Sequence, residues 1–209
     1  MHILIVAATE KEIEPFAIGH PGSDLLVTGI GIAATIYHLQ KRIQQIDYDL
    51  VIQAGIAGSF TRELLPGQAV LVSRDCFGDL GMEANGKFST VFEAGFCNKD
   101  VFPFTNGWLE NPHTLLKSIL LPIVHGVTVN KVSDDPAQKE ELVHHFSPQT
   151  ESMEGAALHY VCLLENLPYL QLRTISNYVS ERDRGKWKMK EAIENLNEEL
   201  IKLIGRIQN

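Results

Sequence analysis

Six short runs of apolar, largely β-branched residues recur along the chain, at positions 3–8, 25–28, 50–54, 69–73, 126–132 and 169–176. Each is long enough for a strand and too short for most helices. Their near-continuous apolarity, without period-two alternation, is what a strand covered on both faces requires. Segments with helical spacing lie between or after them, at 32–46, 115–120, 137–145, 154–167 and 187–207, and the last is long, charged and amphipathic. Strand and helix taking turns predict an α/β fold, a sheet with helices on both faces in a three-layer α/β/α sandwich, whose ligand site lies at the strand ends. A length of 209 residues fits one domain over 1–209. Residues 76–111 are rich in glycine and aromatics without a clear period, and predict a hairpin and a long loop.

Charge and cysteine usage exclude several function classes. With 18 basic against 26 acidic residues the net charge is −8, opposite to the clustered basic surface of a nucleic-acid binder. The longest apolar stretch, Ile119-Leu120-Leu121-Pro122-Ile123-Val124, falls far short of the roughly 20 residues a bilayer needs, so no membrane partner is expected. Cys76, Cys97 and Cys162 are odd in number and form no CxxC pair. A reducing, cytoplasmic home is the expectation. No HExxH pattern, P-loop or GxSxG elbow occurs, so neither a metal nor a cofactor nor covalent catalysis is expected.

Two glycine clusters follow predicted strands, Gly29-Ile30-Gly31 and Gly55-Ile56-Ala57-Gly58. Glycine brings backbone N–H groups within reach of a ligand, and a helix start favours an anion or polar oxygen. Two acids occupy marked places. Glu12 stands just beyond the first strand, where it also reads as one of several first-turn acids; Glu154 opens a helix in Glu151-Ser152-Met153-Glu154-Gly155-Ala156-Ala157, where it also reads as a plain N-terminal charge.

These segments, with Ala7-Ala8-Thr9-Glu10-Lys11-Glu12 and Arg173-Thr174-Ile175-Ser176-Asn177 in the same order, resemble the purine nucleoside phosphorylase and nucleosidase superfamily over almost the whole chain. The stretch from Asn177 through Arg182-Asp183-Arg184 to Trp187 is most similar to the subgroup that hydrolyses futalosine to hypoxanthine. The resemblance implies a nucleoside-phosphorylase-like sandwich around a mixed, mostly parallel sheet. It also implies a homo-oligomer, most often a dimer, with a small-molecule nucleoside as substrate, water as nucleophile and no cofactor. By the same resemblance Glu12 activates the water, Glu154 holds the ribose hydroxyls, Met153 packs on the sugar, and the backbone of Ala57 and Gly58 lines the water site. Asn177 takes the place where adenine-releasing relatives carry an aspartate; its amide can serve N7–H and O6 of a 6-oxopurine, or adenine if turned over. Arg182, Asp183 and Trp187 are the candidates for the substrate's far end. Hydrolysis is expected over phosphorolysis because residues 29–35 hold no cation, although Arg62 lies near the second glycine turn. The rivals are an adenine-releasing methylthioadenosine, S-adenosylhomocysteine or aminofutalosine nucleosidase, a purine nucleoside phosphorylase, and a nucleoside-binding protein without turnover.

Overall fold

A computed structural model describes residues 1–132, 134–181 and 183–208, with Arg184 described by its backbone alone. Ten strands and five α-helices run in the order β1 (Ile3–Ala7), α1 (Glu10–Gly19), β2 (Asp24–Val27), α2 (Ile32–Ile43), β3 (Leu50–Ser59), β4 (Ala69–Asp75), β5 (Gly81–Ala84), β6 (Lys87–Thr90), β7 (Leu109–Glu110), β8 (Ile123–Thr128), α3 (Pro136–Phe146), β9 (Thr150–Ser152), α4 (Gly155–Leu164), β10 (Tyr169–Tyr178) and α5 (Met189–Gln208). The expected α/β architecture with a mixed sheet is present.

Both sheet faces are buried, which is why the strand runs lack alternation. Ile5, Ala7, Ile52 and Leu172 pack on one face under α1 and α5, against Phe16, Leu196, Leu200 and Leu203. Leu4, Val6 and Val51 point the other way, toward Leu39 of α2 and Leu158, Val161 and Cys162 of α4. Successive residues of one strand thus feed opposite layers.

The long strand β3 shapes the site. Its first half, from Leu50 to Gln53, pairs in parallel with β1, while its end, Gly58 and Ser59, pairs antiparallel with β9. Along its other edge it pairs with β10 throughout. Because β10 also pairs with β4, β4 with β8 and β8 with β9, these strands close on themselves at the carboxyl end of β3. Side chains from several strands therefore converge there.

Several boundaries differ from the sequence reading. Helix α1 was not expected as an element; Pro15 stands inside it, and proline removes a ladder donor and argues against a helix when read from sequence alone. The expected helix at 115–120 is a 3₁₀ turn, Thr114–Ser118. The strand expected at 126–132 runs Ile123–Thr128, because β8 registers on Leu71 and Val72 of β4 and the chain leaves the sheet after Thr128. In the loop region β5 and β6 form the expected hairpin, turned by Asn85 and Gly86 at φ +54° and +72°, the backbone a two-residue hairpin turn demands.

Candidate active site

Glu12 reaches the site by a helix start. Thr9 caps α1 from an extended conformation, and the Glu12 carboxylate three residues on folds back over it. Its Oε2 accepts from Thr9 N–H and Thr9 Oγ1, both at 3.0 Å, in the manner of a capping box. Its Oε1 accepts from Ile56 N–H on β3 at 3.2 Å. Three donors fix a carboxylate that is 8% exposed. The helix beneath is held by α5: the Asn197 amide donates to the Glu12 carbonyl and accepts from Phe16 N–H, each at 2.9 Å. Those are the two backbone groups a regular helix would join directly, so a buried side chain bridges the α1 ladder one residue beyond Pro15.

Glu154 is the N-cap residue of α4. Its Oε1 accepts from Gly31 N–H at 3.0 Å, linking the starts of α2 and α4, and its Oε2 lies 3.8 Å from Arg173 Nη1. Burial pushes the carboxyl above its usual range; Arg173 and the Gly31 N–H pull it back, and the charge of Glu12 raises it again. Arg173, 1% exposed, is anchored by Nη2 donating to Gln53 Oε1 at 2.6 Å. Its register partner on β3 is Gly55, and the guanidinium lies across it: a Cβ on Gly55 would stand 2.2 Å from Arg173 Nη1 and 3.2 Å from Glu12 Oε1. Glycine at 55 lets an arginine and two glutamates share one small volume.

Asn177 is aimed by a bulge. The β3–β10 register steps from Ile175 opposite Ala57 to Asn177 opposite Gly58, leaving Ser176 as the extra residue. Such bulges re-aim side chains beside functional sites. Ser176 Oγ lies 2.7 Å from Asn177 Oδ1 and 3.2 Å from Ala57 O, while Asn177 Nδ2 donates to Tyr178 O at 3.1 Å. A carbonyl only accepts, so Tyr178 O settles which end of the amide is nitrogen.

Glu12, Glu154 and Asn177 line one cavity of about 650 Å³ with Met153, Trp187, Ile56, Ile30 and Glu151. The structure thus brings together five of the residues expected from sequence. Trp187 lies just before α5 and its Nε1 donates to Glu181 O at 3.2 Å. Ala57 and Gly58 stand behind the wall, where they seat Ser176 and Asn177, and the backbone N–H that meets Glu12 is that of Ile56. Asp183 is exposed and accepts from Gly185 N–H at 2.9 Å, shaping the following turn; Arg182 lies outside the described residues. Arg62 stacks 3.9 Å over the Tyr178 ring and is not among the residues lining this cavity.

Sequence reasoning quoted Gly55, Arg173 and Glu151 within motifs without giving Arg173 or Glu151 a task, and did not single out the supports Gln53 and Asn197. A charged residue inside the buried strand Tyr169–Tyr178 was the available signal for Arg173; nothing local marks Asn197, 185 residues from Glu12 along the chain. A second buried acid stands behind the wall. Asp75, fully buried, accepts from Cys76 N–H, Thr128 Oγ1 and Gln171 Nε2 at 2.8, 2.9 and 3.1 Å. Thr128 Oγ1 in turn accepts from Ala156 N–H at the start of α4 at 2.7 Å. Desolvation raises the Asp75 carboxyl to about 6 against the pull of these donors. Among the described residues no cluster of three His, Cys, Asp or Glu side chains could hold a metal ion, and no helix is long and apolar enough to cross a membrane.

Fold and cavity together define an α/β enzyme of the nucleoside phosphorylase type. The chain belongs to the phosphorylase superfamily, whose family model matches residues 3–207. It is 27% identical to a futalosine hydrolase of Streptomyces coelicolor over 97% of this chain and 95% of that one. It is 29% identical to a futalosine hydrolase of Thermus thermophilus over 92% and 88%. A 5'-methylthioadenosine/S-adenosylhomocysteine nucleosidase from Shewanella is 27% identical over 75% of this chain and 67% of its own length. Among solved structures, futalosine hydrolase of Helicobacter pylori superposes with a TM-score of 0.81 at 17% identity, covering 98% of this chain and 97% of that one; at that identity the likeness shows the fold.

Proposed function

We propose that this enzyme hydrolyses the N-glycosidic bond of futalosine, releasing hypoxanthine. The observation that carries the reading is the pair of buried carboxylates, Glu12 and Glu154, held by separate sets of protein donors on one cavity that also receives a neutral amide, Asn177. Cleavage of an N-glycoside develops positive charge on the ribose ring and negative charge on the leaving base. Glu12, fixed by Thr9 and Ile56, offers its remaining lone pairs to a water, orienting it and taking its proton. Glu154 accepts from the ribose hydroxyls, and its negative charge, kept in place by Arg173 and Gly31, opposes the developing cation. Met153 packs on the sugar. Asn177 keeps a free N–H for O6 and a carbonyl lone pair for N7–H as the base leaves.

The preference for a 6-oxopurine rests on that neutral amide and on the similarity to the futalosine hydrolases. The reading extends to a cytoplasmic homodimer serving the alternative menaquinone route. Hydrolysis in ¹⁸O-labelled water tests the reaction: the label is expected on the anomeric carbon of the sugar product. Turnover that requires added phosphate and yields an unlabelled sugar phosphate would replace hydrolysis with phosphorolysis.

A further inference from the structure

Glu154 begins helix α4 yet does not cap it. An N-cap side chain ordinarily accepts from the backbone N–H of the second or third helical residue. The Glu154 carboxylate makes no such bond and turns to Gly31 and Arg173 instead. The N–H groups it leaves are met by neighbouring strands. Gly155 N–H donates to Ser152 Oγ on β9 at 3.2 Å, and Ala156 N–H donates to Thr128 Oγ1 at the end of β8 at 2.7 Å. The sheet thus supplies the cap, which frees the Glu154 side chain for the cavity.

The Thr128 hydroxyl serves as a cap only in one orientation. It has a single proton, and a lone pair faces Ala156 N–H only when that proton points elsewhere. Asp75 takes the proton: Thr128 Oγ1 donates to Asp75 Oδ1 at 2.9 Å. Ionised above about 6, the Asp75 carboxyl can only accept, so it fixes the direction of the hydroxyl. The threonine backbone is pinned to the stretch of chain that follows Asp75, its N–H donating to Cys76 O and its carbonyl accepting from Gly78 N–H, each at 2.8 Å. Cys76 N–H and Gln171 Nε2 hold the carboxylate from its other sides. Two glycines make room for it. A Cβ on Gly155, the first residue of α4, would stand 2.2 Å from Asp75 Oδ2, and one on Gly126 of β8 would stand 2.7 Å from the same oxygen.

We infer that Asp75 is a positioning residue for the proposed reaction: acting through the Thr128 hydroxyl, it holds the start of α4 so that Glu154 presents its carboxylate to the ribose hydroxyls. The inference rests on the task given to Glu154 in the proposed reaction, and is independent of which base leaves. A network that only stabilised the fold would set the melting temperature without setting how well the protein distinguishes ribose from 2′-deoxyribose. A positioning network sets both.

The test is equilibrium binding, by calorimetry, of carbon-linked nucleosides that the enzyme has no bond to cleave: 9-deazainosine and 9-deazaadenosine, each against its 2′-deoxy form, with melting followed in parallel. Wild type is expected to favour the ribo form about ten- to hundredfold, the scale of one hydrogen bond to a charged group. Thr128→Val keeps the shape and loses the hydroxyl, while Asp75→Ala keeps the hydroxyl and loses its orientation; each should reduce the preference to within about threefold. Thr128→Ser and Asp75→Asn, which still supply a hydroxyl and an acceptor for it, should keep most of the preference. Undiminished preference in either Thr128→Val or Asp75→Ala overturns the inference, as does an equal loss in all four variants or a wild type that does not favour the ribo form. Because nothing is turned over, the proposed reaction is judged apart. The expected pattern in a protein that leaves futalosine intact, or in the adenosine series alone, supports Asp75 while that reaction or its base fails.

Discussion

Replacing Gly55 with alanine tests whether the site is assembled on β3 as described. The new methyl would stand 2.2 Å from Arg173 Nη1, inside any tolerable contact. The guanidinium has to move. It is fully buried, so moving it strains its 2.6 Å hydrogen bond to Gln53 and its pairing with Glu154 at once. Breaking a buried charge pair costs about 3–5 kcal/mol. For a chain of this size each kcal/mol lowers Tm by roughly 2–4 °C, so a fall of about 6–20 °C is expected if the strain appears as stability. If the fold holds and Glu154 shifts instead, kcat/KM should fall by about 10²–10⁴, the same energy read at the transition state. Melting and base release measured side by side decide the partition. Gly205→Ala is the control, because α5 is regular there and a Cβ meets nothing within 4 Å; it should stabilise by about 0.5–1 kcal/mol. A Gly55→Ala protein that melts within 2 °C of wild type at full activity would refute the reasoning, given the ~2–4 °C scale of a single kcal/mol.

Three further outcomes follow from the same contacts. Glu12→Gln should lose about 10²–10⁴ in kcat and some stability, because one of the donors now satisfied by the carboxylate would face an NH₂; steady-state kinetics near wild-type rate would remove Glu12 from the chemistry. Asn197→Ala strips the bridge from Glu12 C=O and Phe16 N–H, an expected cost of about 2–4 kcal/mol, and it should lower kcat more than it raises KM because it loosens the turn that carries the general base. For Asp75, the folded state keeps its proton up to about 6 while the unfolded chain releases it near 3.8. Stability from this group is therefore full below the lower value and declines by about 3 kcal/mol as pH rises through the upper one. Urea midpoints for Asp75→Asn should lack that share of the decline, and an unchanged pH slope would contradict the buried-acid account.

Much of this was legible in the chain because the strongest local signals are also the structural ones. Strands buried on both faces are mostly apolar, so β1 and the first halves of β3 and β4 announce themselves. Glu154 and Glu12 stand out through the resemblance of their motifs to the superfamily, because taken alone a carboxylate at a helix start reads as a plain N-terminal charge. What escaped depends on partners far away in sequence. The three-residue strand β9 carries too little pattern to be seen, yet it places Glu151 and Ser152 on the cavity. The bulge at Ser176 exists only as a mismatch between two strands. Asn197 reads as one polar position on an amphipathic helix, and only the packing of α5 on α1 turns it into a backbone bridge. Arg173 looks out of place in a buried strand until Gly55, Gln53 and Glu154 are seen around it.

The central claim is most directly tested by the base released in phosphate-free buffer from futalosine, with methylthioadenosine, aminofutalosine and inosine run in parallel and the products separated by chromatography. Hypoxanthine from futalosine, with little or no adenine from the others, is the predicted result. Adenine release from methylthioadenosine or aminofutalosine with futalosine left intact would contradict it.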